Sequence, residues 1–287
     1  MNKNKVKIRL VIIDPQNDFM PFPNSTLPVA GADEDMKRLA GFVRQHGHRL
    51  ESIDVTLDSH QRLHVAHGVM WRGQDGNQPK SGTVISSQDI KDGIWTPVHA
   101  DAKPSKLGGL TIKEYLIGYT EGLANDNQKV LCIWPPHCEV GTPGHNVHAE
   151  LMDALTEWSV KEYATVSYTT KGHNTWTEHY GGFKAERPMP SDPSTSMNTK
   201  LVEIIADADT ILVAGEALSH CVLETVNQLV SEIGLDHISK ICLMLDCMSP
   251  VGKLGDGPLD FPVIAEAWVA KMTGLGMRTT TSETFFN

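Results

Sequence analysis

The sequence predicts an α/β protein: a central sheet of about six parallel strands with helices on both faces, in a three-layer α/β/α arrangement. Three observations support this. Short apolar runs alternate with amphipathic helical segments along most of the chain. The apolar runs are nearly continuous, as expected for strands that are buried on both faces. Polar or glycine-bearing loops follow these runs, as at the sheet edge where ligands bind in such folds.

The first part of the chain predicts strand, helix and strand. Residues 6–13 form an apolar run that ends at Asp14. Residues 33–46 carry apolar side chains at helical spacing. Residues 52–57 form a second strand, which ends at Asp58.

The segment 68–128 is expected to be irregular because it is rich in glycine, proline, lysine, aspartate and serine. Its larger apolar residues could form a small core of their own: Trp71, Trp95, Leu107, Leu110, Tyr115 and Leu116. Long segments without regular structure are uncommon and often functional. We therefore expect a lid-like insertion within a single domain that spans residues 1–287.

The remainder of the chain continues the alternation of strands and helices. Strands are predicted at 130–134, 162–169, 210–215 and 240–245, with a short last strand at 277–281. Helices are predicted at 146–157, 199–207 and 261–273. The clearest helix has Ser219 as its N-cap, an apolar face that extends to Ile233, and Gly234 at its end.

Charge and cysteine usage limit the class of protein. The chain has 25 Lys and Arg against 35 Asp and Glu, a net charge of −10 with no basic run, which argues against nucleic-acid or anionic-membrane partners. No segment approaches the ~20 apolar residues that a membrane span needs. The 5 cysteines are scattered, which fits a reducing compartment. We expect a soluble cytoplasmic protein.

Three reactive side chains follow three different predicted strands. Asp14 follows the first strand, Lys171 the strand at 162–169, and Cys221 the strand at 210–215. A thiol is mostly protonated at pH 7; a helix N-terminus and a nearby ammonium favour the thiolate, and a carboxylate can accept the proton. Each residue alone also has an ordinary interpretation, as a turn aspartate, a surface lysine and a packed cysteine.

A second group combines one carboxylate with imidazoles. Asp58, His60 and His64 lie within seven residues after the second strand, and His137 follows the strand at 130–134. Imidazole and carboxylate together suit zinc, manganese or iron. Because the chain has 13 histidines, chance clusters are possible, and we interpret three others as bystanders: His46, His48 and His67.

These residues lie in motifs that resemble those of nicotinamidases, within the isochorismatase-like superfamily of cysteine hydrolases. The resembling segments are DPQNDF at 14–19, DSHQRLH at 58–64, WPPHCEVGTPGHNVHAEL at 134–151, KGHN at 171–174 and GEALSHCV at 215–222. They occur in the order found in that family and cover about residues 7–250. The resemblance implies the isochorismatase-like, Rossmann-like sheet of about six strands.

The resemblance also implies roles for matching residues. Asp14 would be the general base, Lys171 its charge-stabilising partner and Cys221 the nucleophile. One divalent ion, zinc first and manganese or iron as alternatives, would be held by Asp58, His60, His64 and His137. The backbone N–H groups of Ala217 and Cys221 would form the oxyanion hole, with a cis peptide at Glu216–Ala217, and Phe19 would line the substrate pocket.

Several positions depart from the family pattern. The metal motif has Ser59 where tryptophan is usual, the segment after the lysine reads TWTEHYGGF, and the nucleophile loop has Glu216 and Ser219-His220. Three functions therefore remain open. The first is a nicotinamidase of pyridine nucleotide salvage; the second is a related hydrolase of another small amide, carbamoyl compound or vinyl ether; the third is a non-catalytic binding protein. Homo-oligomers are expected from the resemblance.

Overall fold

The computed structural model describes residues 6–126, 129–253 and 259–287. The strands are β1 (Ile8–Ile13), β2 (Ser52–Asp58), β3 (Trp71–Gly73), β4 (Val84–Ile85), β5 (Trp95–Pro97), β6 (Leu131–Cys132), β7 (Ser167–Lys171), β8 (Thr210–Gly215), β9 (Ile241–Met244) and β10 (Arg278–Thr280). The helices are α1 (Ala32–His46), α2 (Ser87–Lys91), α3 (Ile112–Asp126), α4 (Ala149–Glu162), α5 (Thr199–Ala206), α6 (Leu223–Ile233) and α7 (Phe261–Gly274).

The central sheet has six strands in the order β10-β9-β8-β1-β2-β7, and every neighbouring pair is parallel. Successive residues of a strand point to opposite faces of its sheet. On β1, Leu10 and Ile12 accordingly pack in the hydrophobic cluster that contains the buried residues of α1 and α4. Val11 and Ile13 pack in a second cluster with those of α5, α6 and α7. The predicted three-layer α/β/α fold is therefore confirmed.

The strand order brings together chain segments that are far apart in sequence. In the register of the sheet, Ile13 lies opposite Gly215, and Asp58 lies opposite Lys171. Because β8, β1, β2 and β7 are consecutive neighbours and parallel, their carboxyl ends meet at one edge. Asp14 begins the loop after β1 at this same edge.

The prediction of a sheet strand at 130–134 is wrong. Only Leu131–Cys132 is extended, and it pairs antiparallel with Val84–Ile85 outside the central sheet. The insertion supplies these backbone partners, and Trp134 N–H donates to the carbonyl of Ala66 (2.8 Å). The strand predicted at 162–169 also lies later, because α4 continues to Glu162.

The insertion is more regular than the sequence composition suggested. It contains α2 and the 15-residue helix α3. Four buried residues of α3 follow helical spacing: Ile112, Leu116, Tyr119 and Leu123. They belong to the same hydrophobic cluster as β1 and α1, so the insertion has no separate core there. The glycine and proline content of its loops had led us to expect irregular structure in this segment, although α3 has helical periodicity.

Within the described ranges, no helix combines the length and the apolarity that a bilayer crossing requires.

The shared core makes the single-domain prediction testable. Leu116 is fully buried, so Leu116→Ala should lower the free energy of unfolding by about 2–5 kcal/mol through lost burial and a cavity. Denaturant unfolding followed by circular dichroism should show one transition shifted as a whole. Leu110→Ala is the control, since Leu110 is 46% exposed and its loss should cost about 0.5 kcal/mol or less. A separate early transition, with the rest unmoved, would contradict a single domain.

Candidate active site

Asp14 is buried immediately beyond β1, where its backbone turns into the left-handed region with φ 41°. Its Oδ1 accepts a hydrogen bond from Thr56 Oγ1 at 2.6 Å, and its N–H donates to the Thr56 carbonyl at 3.1 Å. These contacts to β2 orient the carboxylate. Its second oxygen, Oδ2, faces Lys171 Nζ at 2.9 Å.

Lys171, the last residue of β7, places a buried ammonium at the centre of the site. Its Nζ lies 2.9 Å from Asp14 Oδ2 and 3.2 Å from Asp58 Oδ1. It also donates to the carbonyl of His179 (3.0 Å) and lies 3.5 Å from Cys221 Sγ. Burial alone would lower the pKa of Lys171, but the carboxylates of Asp14 and Asp58 outweigh it and raise the pKa well above its usual value. The three predicted catalytic residues, Asp14, Lys171 and Cys221, here named the trio, are thus brought together.

Cys221 lies in a wide turn of π-helix, Leu218–Val222, that leads into α6. Such turns often occur at functional sites. Ser219 does not cap this helix, contrary to expectation. Its hydroxyl contacts His220 Nδ1 at 2.8 Å and accepts from Val251 N–H at 3.1 Å, so it joins the turn to the loop after β9 instead.

Burial disfavours the ionised form of the Cys221 thiol. Burial raises its pKa well above the usual value; Lys171 opposes this, while the charge and hydrogen bond of Asp14 add to it. Burial also raises the pKa of Asp14, which makes this carboxylate a stronger base than an exposed aspartate. The thiolate is therefore expected only when Asp14 takes the proton.

The loop before the thiol has the backbone shape that the resemblance implied. The Glu216–Ala217 peptide bond is cis. The N–H groups of His220 and Val222 both donate to the carbonyl of Ala217, at 3.0 and 3.2 Å. Ala217 and Cys221 both border the cavity described below. Their N–H groups as the oxyanion hole remain a prediction.

Asp58 and two imidazoles form what we name the metal group: Asp58, His60 and His137. Asp58 Oδ2 lies 3.0 Å from His60 Nε2 and 3.2 Å from His137 Nε2. One ligand atom from each residue lies within 4.8 Å of the others. The opposite nitrogen of each ring faces a carbonyl, His60 Nδ1 that of Gly172 (3.2 Å) and His137 Nδ1 that of Pro135 (2.9 Å).

This donor arrangement fits a divalent cation. If each ring donated both to its carbonyl and to Asp58, both imidazoles would be positively charged with ring centroids 4.7 Å apart in a buried place. A cation instead accepts a lone pair from each Nε2 and charge from the carboxylate, while each Nδ1–H keeps its carbonyl partner. Nitrogen and carboxylate ligands suit zinc, with manganese and iron as alternatives.

His64, also predicted as a ligand, does not belong to the metal group. Its Nε2 lies 3.2 Å from the Thr177 carbonyl, and its Nδ1 accepts from Ala66 N–H at 3.3 Å. Its ligand atom clusters instead with those of His60 and His67, again within 4.8 Å.

His67, which we interpreted as a bystander, lies inside this histidine cluster. His60, His64 and His67 are spaced by four and then three residues, a pattern that usually indicates one face of a helix. His46 differs: it packs against Phe42 and Phe286.

The thiol and the metal group border one small cavity of ≈ 30 Å³, part of which opens to solvent. The residues that line it are Phe19, Leu27, Asp58, His60, Trp134, His137, Glu178, His179, Tyr180, Ala217, His220, Cys221 and Val251. Phe19, predicted for the pocket, is among them, with its ring centroid 5.7 Å from that of His137.

Four polar side chains of the cavity were not predicted as site residues: Glu178, His179, Tyr180 and His220. Burial and the nearby charge of Asp58 raise the pKa of Glu178 to about 8, so at pH 7 it is mainly a neutral acid that can donate a hydrogen bond. His179 Nε2 is buried without a hydrogen-bond partner among the described residues. These residues fall where the sequence departs from the family motifs, and that departure was their signal.

Comparison with known proteins finds similarity in structure but none in sequence families. The sequence matches no protein-family model and no curated protein sequence. The structure is similar to that of a yeast nicotinamidase, with a TM-score of 0.60, 20% identity, and coverage of 95% of this chain and 99% of that one.

Two further solved structures share the architecture. A pyrazinamidase of Pyrococcus horikoshii in complex with zinc matches with a TM-score of 0.51 and 17% identity over 96% of this chain and 99% of that one. A protein of Oleispira antarctica assigned as an isochorismatase hydrolase matches with a TM-score of 0.50 and 11% identity, over 99% and 97% of the two chains. The chain therefore has the isochorismatase-like fold of these proteins.

Proposed function

We propose that this protein is a cysteine amidohydrolase, and that nicotinamide, hydrolysed to nicotinate and ammonia, is its first candidate substrate. One observation carries the proposal: the buried Nζ of Lys171 lies within 3.5 Å of Asp14, Asp58 and Cys221 at once. A nucleophile, a base and a fixed positive charge are thus in contact beside the metal group. The similar nicotinamidase structures support the choice of substrate.

In the first half-reaction, Asp14 accepts the thiol proton of Cys221, and the thiolate sulfur attacks the amide carbonyl carbon. The carbonyl oxygen gains negative charge, which the N–H groups of Ala217 and Cys221 would stabilise. Protonated Asp14 then gives its proton to the amide nitrogen. The carbon–nitrogen bond breaks, ammonia leaves, and a thioester remains on Cys221.

The second half-reaction uses the same residues. Asp14 takes a proton from water, the hydroxide oxygen attacks the thioester carbonyl, and the carbon–sulfur bond breaks. The proton returns to the sulfur, and the carboxylic acid leaves. Lys171 keeps its charge throughout, which balances Asp14 in its ionised form.

The metal group, whose three residues line the cavity, would hold one divalent ion. When bound, the ion supplies a fixed positive charge that can coordinate a ring nitrogen of the substrate. Asp58, a member of the metal group, contacts both His60 and Lys171. Its carboxylate would therefore be shared between the ion and the trio.

A second candidate is a hydrolase of another small amide or carbamoyl compound. The polar side chains of Glu178, His179 and His220 in the cavity favour it. Buried polar groups left without partners are costly, so a substrate that hydrogen-bonds to them would be selected over one that does not.

Loss of the nucleophile gives the most direct test. Cys221→Ala should abolish ammonia release from nicotinamide because no thioester can form, while circular dichroism and bound metal stay those of the parent. Cys242→Ala is the matched control, since Cys242 is buried in β9 away from the cavity and should keep turnover. Near-normal turnover by Cys221→Ala would contradict the mechanism. Metal binding without ammonia release by the parent would move the search to the second candidate.

Because Asp14 and Cys221 exchange a proton, replacing Asp14 should make the Cys221 thiol ionise more readily but should lower catalytic turnover. Because the carboxylate of Asp14 helps to raise the pKa of the thiol, Asp14→Asn should shift the pH midpoint of Cys221 alkylation by iodoacetamide downwards. Turnover should nevertheless fall by about a hundredfold or more, since the base is lost. Asp54→Asn removes a carboxylate of β2 that pairs with Arg9 of β1, and it should leave both the alkylation midpoint and the turnover unchanged. An unchanged or higher midpoint for Asp14→Asn would contradict this charge arrangement.

Metal removal tests the ion's role separately. Treatment with a strong chelator should lower activity on nicotinamide mainly through a higher KM, because the coordinating position for the ring nitrogen is lost. Added zinc should restore the parent KM. If full activity survives after metal analysis shows complete removal, the ion has no part in the reaction.

A further inference from the structure

A fourth imidazole, that of His67, lies beside those of His60, His64 and His137. His67 is completely buried in the turns after β2. Its Nδ1 lies 3.1 Å from the carbonyl of Arg62. Its Nε2 has no hydrogen-bond partner among the residues that the structure describes. A buried, unsatisfied polar atom is costly, so its presence calls for an explanation.

The ring of His67 is oriented as the ligand rings of the metal group are. In His60, His137 and His67 alike, Nδ1 faces a backbone carbonyl, so a proton on Nδ1 would leave a lone pair on Nε2. Metal-binding histidines are typically held in this way, with the second nitrogen donating to a carbonyl or carboxylate.

His64 differs from these three rings because both of its nitrogens are engaged. Its Nε2 faces the carbonyl of Thr177, and its Nδ1 accepts from Ala66 N–H and lies 3.4 Å from Glu178 Oε1. These contacts give His64 a structural role that needs no ion.

His67 is also close enough to the other imidazoles. Its ring centroid lies 5.3 Å from that of His60 and 5.8 Å from that of His137. Ligand atoms of His60, His64 and His67 form a group in which all lie within 4.8 Å. His60 belongs both to this group and to the metal group, so His67 adjoins the metal group through His60.

We propose that His67 is a ligand of the divalent ion through its Nε2, alongside Asp58, His60 and His137, and that His64 is not a ligand. The inference rests on the proposed function only in requiring that this site binds an ion. It names His67 in place of His64 as the third imidazole, a residue that lies outside the segment 58–64 that resembles the hydrolase motif.

The test measures metal binding rather than activity. Metal-free protein is titrated with Zn²⁺ against a chromophoric chelator, and with Co²⁺ while the visible absorption spectrum is recorded. His67→Phe, which keeps a ring of similar size, should weaken Zn²⁺ binding by at least tenfold, since loss of even an outer partner of a ligand costs about 10–100-fold. It should also alter the Co²⁺ spectrum. His64→Phe should keep both close to those of the parent, and His137→Phe is the positive control.

Parent-like Zn²⁺ affinity and an unchanged Co²⁺ spectrum for His67→Phe would overturn the proposal, as would a loss of affinity for His64→Phe alone. X-ray absorption of the zinc-loaded parent gives a check that does not depend on a variant's folding. Three imidazole ligands are expected there, and two would overturn the inference. Should the parent bind no Zn²⁺, the inference fails together with the metal part of the proposed function. Zn²⁺ binding with these ligands but without nicotinamide hydrolysis would leave the inference standing and remove only the substrate assignment.

Discussion

The buried ammonium of Lys171 can remain charged inside the protein because two carboxylates, Asp14 and Asp58, lie within 3.2 Å of it. Moving a single ion out of water costs several kcal/mol, and only close, well-oriented partners offset that cost. Asp14 uses its other oxygen to bind Thr56, and Asp58 directs its other oxygen to His60 and His137. The position of the ammonium thus determines where the base, the thiol and the metal group must lie.

Sheet topology makes this charge balance possible. The four strands β8, β1, β2 and β7 are adjacent and parallel, so their carboxyl ends deliver the nucleophile loop, Asp14, Asp58 and Lys171 to one edge. Parallel strands cannot be joined by tight turns, so residues that meet there come from distant parts of the chain. The two hydrophobic clusters on the faces of the sheet hold the strands in this order and exclude water from beneath the site.

The cavity is lined by both apolar and polar side chains. Phe19, Leu27 and Val251 are apolar, whereas Glu178 and His179 are polar. Specificity in such pockets depends more on unsatisfied polar groups than on added apolar area, because an unmatched buried polar group is costly. The trio therefore determines the proposed reaction class, while these side chains of the cavity would select among amides.

Local sequence was sufficient for β1, β2, β8 and β9, since near-continuous apolar runs have few other uses. It placed the start of β7 too early, because α4 continues to Glu162 and β7 is not an apolar run. It was also sufficient to select Asp14, Lys171, Cys221 and Asp58 as residues at or just after strand ends. Sequence could not reveal that residues 131–134 find their backbone partners in the insertion and at Ala66, because pairing is decided by what lies nearby in space. For the same reason only the tertiary structure distinguished His64 from His67: the difference lies in which nitrogen of each ring meets a carbonyl, and those carbonyls belong to Thr177 and Arg62 in the folded chain.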